Sequence, residues 1–314
     1  MRVLSVLSVL SVLILSIMGS ASVSAKPLVL ALNWKPEPQF GGFYAAQEAG
    51  YFRDNKLDVE IIEGGSGTPT IQMLLAGRVD YAIVSGDEIV IAHARGGDIV
   101  ALFATYQVNP QGIMTHASRG FESIEDVVHS DGVLLWQSGL PYTQFFKMKY
   151  APLKVTTAPY LGGIGNFRND AKLSQQCFVT SEPLEAKAVG LEVKTFLVAE
   201  SGYNPYTTVL VTRRARLEQS PDEVKRMVGA VRAGWKDYLS DAAPTNRVMG
   251  DLNKAMSAET FSASAAAQHS LIQTTAETEL GSMTQERWQT LADQLLAIGV
   301  IPKPVKVDTL FANF

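Results

Sequence analysis

One cysteine occurs among the 314 residues, so no disulfide can form within the chain. Cys177 sits in "QQCFVTSEP", between polar residues and a strand-like run, and no sequence feature supplies a partner to activate its thiol. It reads as a small buried hydrophobe. Runs of Lys and Arg are missing too. The 27 basic residues are outnumbered by 31 acidic ones, giving a net charge of −4, a balance that repels a phosphate backbone and excludes nucleic acid as a partner. Histidine is scarce: His93, His116, His129 and His269 are scattered, with no i, i+4 pair to hold a metal on one helix face, and read as surface or helix-end residues. No Walker loop, Ser-His-Asp arrangement, internal repeat or low-complexity tail is visible. No metal, cofactor or catalytic residue is expected.

The chain opens on Met1-Arg2 and a Leu/Val/Ile/Ser stretch that ends in the small residues Val23-Ser24-Ala25. That order is a secretory signal peptide over residues 1–25, cleaved after Ala25, with no cysteine nearby to carry a lipid. Cleavage removes Arg2 and leaves a soluble protein, one unit more acidic, in the periplasm or outside the cell.

Strand-like and helix-like runs then alternate. A strand at 28–33 precedes a helix from Gly42 to about Asn55. Strand "LDVEII" (57–62) leads through "GGSGT" to a helix over 68–77. "DYAIV" (80–84), a helix near 87–95 and "IVALFA" (99–104) follow. A second cycle starts after "VNPQG", with strand "GVLLW" (132–136), a helix at about 141–150, and strands in "KVTTA", "CFVT" and "VKTFLV". "NPYTTVLV" (204–211) returns to long helices. The helix at 221–239 is the clearest: Ser220 caps it, Pro221 opens it and Glu223 completes a capping box, while Val224, Met227, Val228, Val231 and Trp235 form its apolar stripe. The Ala/Ser/Thr-rich stretch 256–283 also reads as helical. The pattern predicts an α/β protein of two lobes, each a mostly parallel sheet flanked by helices, with a ligand cleft between them. Residues 26–106 with 207–314 form one lobe and 107–206 the other, joined by two crossings that can hinge.

"LNWKPEPQFGGFYAAQEAGYFRDNKLDVEIIEGG", followed by "LLAGRVDYAIVSGDE", resembles the NMT1/THI5-like, thiamine-precursor branch of periplasmic solute-binding proteins, related in fold to the alkanesulfonate and nitrate binders. The resemblance implies a type II periplasmic-binding-protein fold, capture of a small molecule, and delivery by a monomer to an ABC permease in the inner membrane. It also raises Glu182, since related binders place a glutamate there in the cleft.

The residues themselves point to the same cleft. Trp34, Phe40, Phe43 and Tyr44 cluster where the first strand hands over to a helix, an aromatic wall suited to a flat ring, and Glu37 beside them could pair with ring N–H groups. Gly65, Ser66 and Thr68 lie in a turn whose N–H groups could hold a polar group. Ser85 and Asp87 end the "DYAIV" strand. Trp136, Gln137 and Ser138 end a strand of the second lobe, and Glu182 follows another. Tyr106 and Asn109 mark the first crossing, Tyr203 and Asn204 the second. Glu37, Asp87, Glu88 and Glu182 supply carboxylates, and no Arg or Lys lies among the strand-end motifs. A sulfonate, nitrate or phosphate wants Arg or several donors, so the ligand expected is an amino-bearing heterocycle, an aminopyrimidine above all. The rival reading is a pyrimidine synthase, the activity of the family's eukaryotic members, which use iron and consume a histidine of their own. Where that histidine stands this chain has "EPQFGG", with Phe40 nearest, and their cysteine-rich cluster is missing.

Overall fold

The computed structural model describes residues 26–275 and 279–314. The leader expected at residues 1–25 lies outside the described residues. Ten strands are described. The first four are β1 (Leu28–Ala31), β2 (Val59–Ile62), β3 (Tyr81–Val84) and β4 (Ile99–Tyr106). Then come β5 (Gln111–His116), β6 (Val133–Trp136), β7 (Thr156–Pro159), β8 (Leu173–Phe178), β9 (Val193–Leu197) and β10 (Thr207–Arg213).

They form two five-stranded sheets with one plan. The first has the order β2-β1-β3-β10-β4 and the second β7-β6-β8-β5-β9. In each, four strands run one way and one runs against them: β10 is antiparallel to β3 and β4, and β5 to β8 and β9. The reversed strand is always the one that has just arrived from the other lobe. Each lobe is therefore completed by chain entering along a crossing, and the two crossings end beside each other.

Burial on both faces explains the continuous apolar strands of the first lobe. Val29, Ala31, Ala82, Val84, Val209 and Val211 belong to one core, while Leu30, Leu32, Tyr81, Ile83 and Leu210 belong to another. This is the period of two that a strand imposes. The second core is closed by the helix Pro221–Ser240, whose Val224, Met227, Val228, Val231 and Trp235 are buried. It packs on the helix Gly41–Glu48, and a Cβ on Gly42 would lie 2.2 Å from the Trp235 ring. No helix of the described residues is long and apolar enough to cross a membrane.

Several sequence expectations change. The helix placed from Gly42 to Asn55 breaks at Gly50, whose φ of +80° starts a short second helix, Tyr51–Asp54. The capping box at Ser220 does not form. Glu223 instead accepts from Arg216 Nη1 at 2.6 Å and from the Tyr81 hydroxyl at 3.0 Å, since a half-buried guanidinium attracts it more strongly than a backbone N–H. The strand placed at "CFVT" begins earlier, at Leu173, and β5 was not anticipated at all. In 256–283 the helix runs Ala258–Ile272, and residues 276–278 lie outside the described residues. Cys177 is buried in a small apolar cluster with Met114 and Phe167. His116, expected at the surface, is buried on β5 and stacks on Phe167 with ring centroids 4.0 Å apart.

Candidate functional site

The segment after β1 carries two prolines, which limit its freedom, and Pro38 starts a short 3-10 turn over Pro38–Phe40. Two amides from distant helices pin this segment. Asn253 Nδ2 donates to Pro36 O at 3.1 Å, and Gln268 Nε2 to Pro38 O at 2.9 Å. From the other side, Gly64 N donates to Trp34 O at 3.0 Å. Gly64 must be glycine, because a Cβ there would stand 2.2 Å from Leu32 O. Glu37 is thus held between two anchored carbonyls.

Trp34 and Glu37 are both half-buried, and the indole Nε1–H donates to Glu37 Oε1 at 3.1 Å. No described residue donates to Oε2. Burial pushes the Glu37 carboxyl up from 4.5 to about 7, with the charge of Glu182 as the next cause; the Trp34 hydrogen bond opposes them, Glu185 adds a further push and Lys35 pulls down. Glu37 belongs to the first lobe, whereas Glu182 and Glu185 lie on the helix Glu182–Ala188 of the second. The two lobes therefore bring acidic groups together. Glu182 accepts from the Tyr160 hydroxyl at 2.5 Å and from Phe178 N at 2.8 Å, and burial raises its pKa in spite of these bonds. A charged hydrogen bond of this kind is worth about 1.5–3 kcal/mol, and losing it with the acid still buried costs more.

Other groups link the lobes beside this pair. The Tyr106 hydroxyl donates to Gln268 Oε1 at 2.6 Å and meets the hydroxyl of Thr180 from the second lobe. The helix Ala258–Ile272 packs against the helix Glu182–Ala188. Tyr160, Thr180, Asn253 and Gln268 were not singled out in the sequence. Tyr160 precedes a glycine-rich loop, and Gln268 lies in an Ala/Ser-rich helix, so neither stood in a pattern that marks a site.

The remaining sequence candidates divide. Phe40 and Trp136 have no open face: Phe40 is fully buried in the first lobe's core, and Trp136 is packed edge-on against Tyr142 at 6.2 Å. Tyr44 is likewise buried, its phenol pushed up to about 12 by burial and then by the nearby Glu63. These rings are part of the two cores. In the glycine-rich turn, Gly65 N is taken by Thr68 Oγ1 at 2.8 Å and Thr68 N by Gly65 O at 3.1 Å, which leaves neither free for a ligand; Ser66 is exposed. Gln137 pairs with Gln176, its N–H donating to Oε1 at 2.7 Å and its Oε1 accepting from Nε2 at 2.9 Å, while Ser138 O accepts from Thr143.

Ser85 and Asp87 form a second polar group at the start of the helix Gly86–Ala94. The Ser85 hydroxyl donates to Asp87 Oδ1, and the Tyr203 hydroxyl donates to Oδ2 at 3.1 Å. Asp87 thereby ties the first lobe to the second crossing, and its burial raises its pKa. Asn109 and Asn204 bind each other: Asn109 N donates to Asn204 Oδ1 at 2.9 Å, and Asn109 Nδ2 to Pro205 O at 3.1 Å. Expected as ligand contacts, they join the crossings through the Asn109 N–H and Nδ2 and the Asn204 Oδ1. A separate hollow of about 750 Å³ lies on the first lobe among Tyr238, Arg247, Met256, Phe261 and His269, and neither Glu37 nor Glu182 lines it; small side chains line most of the rest.

Comparison with known proteins gives a consistent set of likenesses. The family model described as NMT1/THI5 like matches residues 37–129 and 169–243. The riboflavin-binding protein RibY of Chloroflexus aurantiacus is 22% identical over 94% of this chain and 87% of its own. The formylaminopyrimidine-binding protein of Halalkalibacterium halodurans is 26% identical over 36% of this chain and 33% of its own. Pyrimidine phosphate synthases also match, the one from Legionella pneumophila at 23% identity over 35% of each chain. Among solved structures, the aliphatic sulphonate binding protein SsuA of Escherichia coli superposes with a TM-score of 0.69 at 12% identity, covering 90% of this chain and 92% of that one. The last likeness is one of fold.

Proposed function

The chain belongs to the NMT1/THI5-like family, and we propose that it is the solute-binding protein of an ABC importer, exported as a monomer and handing its solute to a permease in the inner membrane. The solute is a small planar heterocycle bearing amino groups, and a pyrimidine of the kind built into thiamine fits best. One observation carries this reading: Glu37 of the first lobe, which accepts from Trp34, lies within electrostatic reach of Glu182 of the second, whose charge helps to raise its pKa. A ring with N–H donors on two edges satisfies an acid on each lobe and so closes the cleft on itself. A sulfonate or nitrate would bring further negative charge to the same place, where Glu182 and Glu185 already push the Glu37 carboxyl up and Lys35 opposes them. The formylaminopyrimidine-binding relative supports the choice of ring.

A flavin is the second reading, favoured by the extent of the match to the riboflavin-binding relative. Against it, Phe40, Tyr106 and Trp136 offer no open face to a three-ring system. A carrier is favoured over a synthase because the relative matching most of the chain is a binding protein. The histidines agree: His93, His116 and His129 each set Nε2 against a backbone carbonyl, those of Ile99, Phe167 and Tyr150. Mass spectrometry of small molecules released from protein purified without unfolding tests the proposal. An aminopyrimidine is the expected release; riboflavin would move the reading to a flavin carrier, and an alkanesulfonate would reject both.

A further inference from the structure

The chain passes between the lobes twice, through 107–110 after β4 and through 198–206 before β10. Both passages meet the start of the helix Gln285–Ala297. There Arg287 Nη1 donates to Gln107 O of the first crossing at 2.5 Å. Its Nε donates to Asn204 O at 3.0 Å and its Nη2 to Asn204 Oδ1 at 3.1 Å, both in the second crossing. Asn204 Oδ1 also accepts from Asn109 N, which ties the crossings to each other. The guanidinium stands 3.8 Å above the Tyr206 ring, and among the described residues it forms no ion pair. A planar fork suited to a carboxylate is spent instead on the oxygens of two connecting segments.

We propose that Arg287 is a positioning residue for solute capture: from the first lobe it grips both crossings, fixes the axis about which the second lobe swings, and so sets the population of the closed form. The inference goes beyond the ligand assignment and does not depend on which solute fills the cleft. With Gln107 and Asn204 held, Tyr203 held by Asp87 and Gly202 O held by Gln294 Nε2 at 2.8 Å, bending is left to the stretch around Pro110 and to the N–Cα bond of Gly202, whose φ is +96°. Gln107 N and Val108 N also donate to Leu271 O at 2.9 Å, so releasing the grip frees the second crossing at Asn204 above all and spreads the lobes over more orientations. A binding-competent form that is less populated lowers apparent affinity in the same proportion.

Pulsed electron–electron spin resonance on the mature chain, ligand-free, tests this with spin labels at Glu48→Cys and Lys187→Cys, one on each lobe; Cys177 is buried and stays unlabelled. Arg287→Gln is expected to raise the population outside the main interlobe distance about ten-fold, the size that losing one charged hydrogen bond gives. Arg287→Lys, which keeps the charge but not the fork, is expected to give a smaller rise. Leu295→Ala, a core truncation in the same helix, lowers thermal stability and is expected to leave the distance distribution unchanged. If Arg287→Gln does not fold, Arg287→Lys carries the test. Wild-type distributions in the folded Arg287 variants overturn the proposal, and so does equal broadening in Leu295→Ala.

Discussion

Burial lifts the carboxyl of Glu37 to about 7, and Glu182, carried by the opposite lobe, adds to that rise. A carboxyl whose pKa is raised above 4.5 by the surrounding structure binds more protons there than in the open or unfolded chain. The stability it allows is thus fully present at acid pH and is lost as pH rises through about 7. The ligand-free protein is expected to loosen between its lobes over about pH 5 to 8. Small-angle scattering across that range should show a growing radius of gyration, and Glu37→Gln should flatten the profile. A wild-type radius independent of pH would contradict the pairing.

Glu182→Gln keeps the size of the side chain and removes the charge that receives Tyr160 and Phe178 N. Solute affinity is expected to fall about ten- to a hundred-fold, the range of about 1.5–3 kcal/mol for a charged hydrogen bond. Fluorescence titration with an aminopyrimidine gives the ratio directly, and circular dichroism should show an intact fold.

Trp34→Phe retains a ring but no N–H donor. The hydrogen bond from Trp34 lowers the Glu37 pKa, so its loss should drive that pKa above about 7, as read by carbon NMR of the labelled glutamate carboxyls. Trp34→Ala should weaken binding a few-fold to about ten-fold through lost stacking, without unfolding a chain in which Trp34 is only half-buried.

The part of this site that was legible in sequence is the part written in local pattern. Trp34 and Glu37 stood out because a buried strand gives way abruptly to a polar, proline-marked turn, and β1, β3 and β10 stood out as apolar runs. β5 was hidden because "QGIMTH" opens on a glutamine and a glycine, yet it pairs on both sides, between β8 and the edge strand β9, after arriving from the other lobe. Asn109 and Asn204 looked like ligand groups because they are polar and sit at breaks. Asn109 meets Asn204 and Pro205, and Asn204 in turn meets Arg287, about eighty residues further on in a helix that only the return of the chain brings under the crossings. Long-range pairing of this sort leaves no local signal.

Gly64→Ala is expected to destabilise the fold by about 1–3 kcal/mol, the usual cost of overpacking, because its Cβ would collide with Leu32 O. The same shift would move the Trp34 segment, so thermal melting and solute affinity should fall together.

Calorimetric titration of the wild type, Glu37→Gln and Glu182→Gln with 4-amino-5-hydroxymethyl-2-methylpyrimidine, riboflavin and taurine at neutral pH tests the central claim most directly. The pyrimidine is expected to bind the wild type most tightly and each variant about ten- to a hundred-fold more weakly. Tight binding of taurine or riboflavin that is indifferent to both substitutions would contradict it.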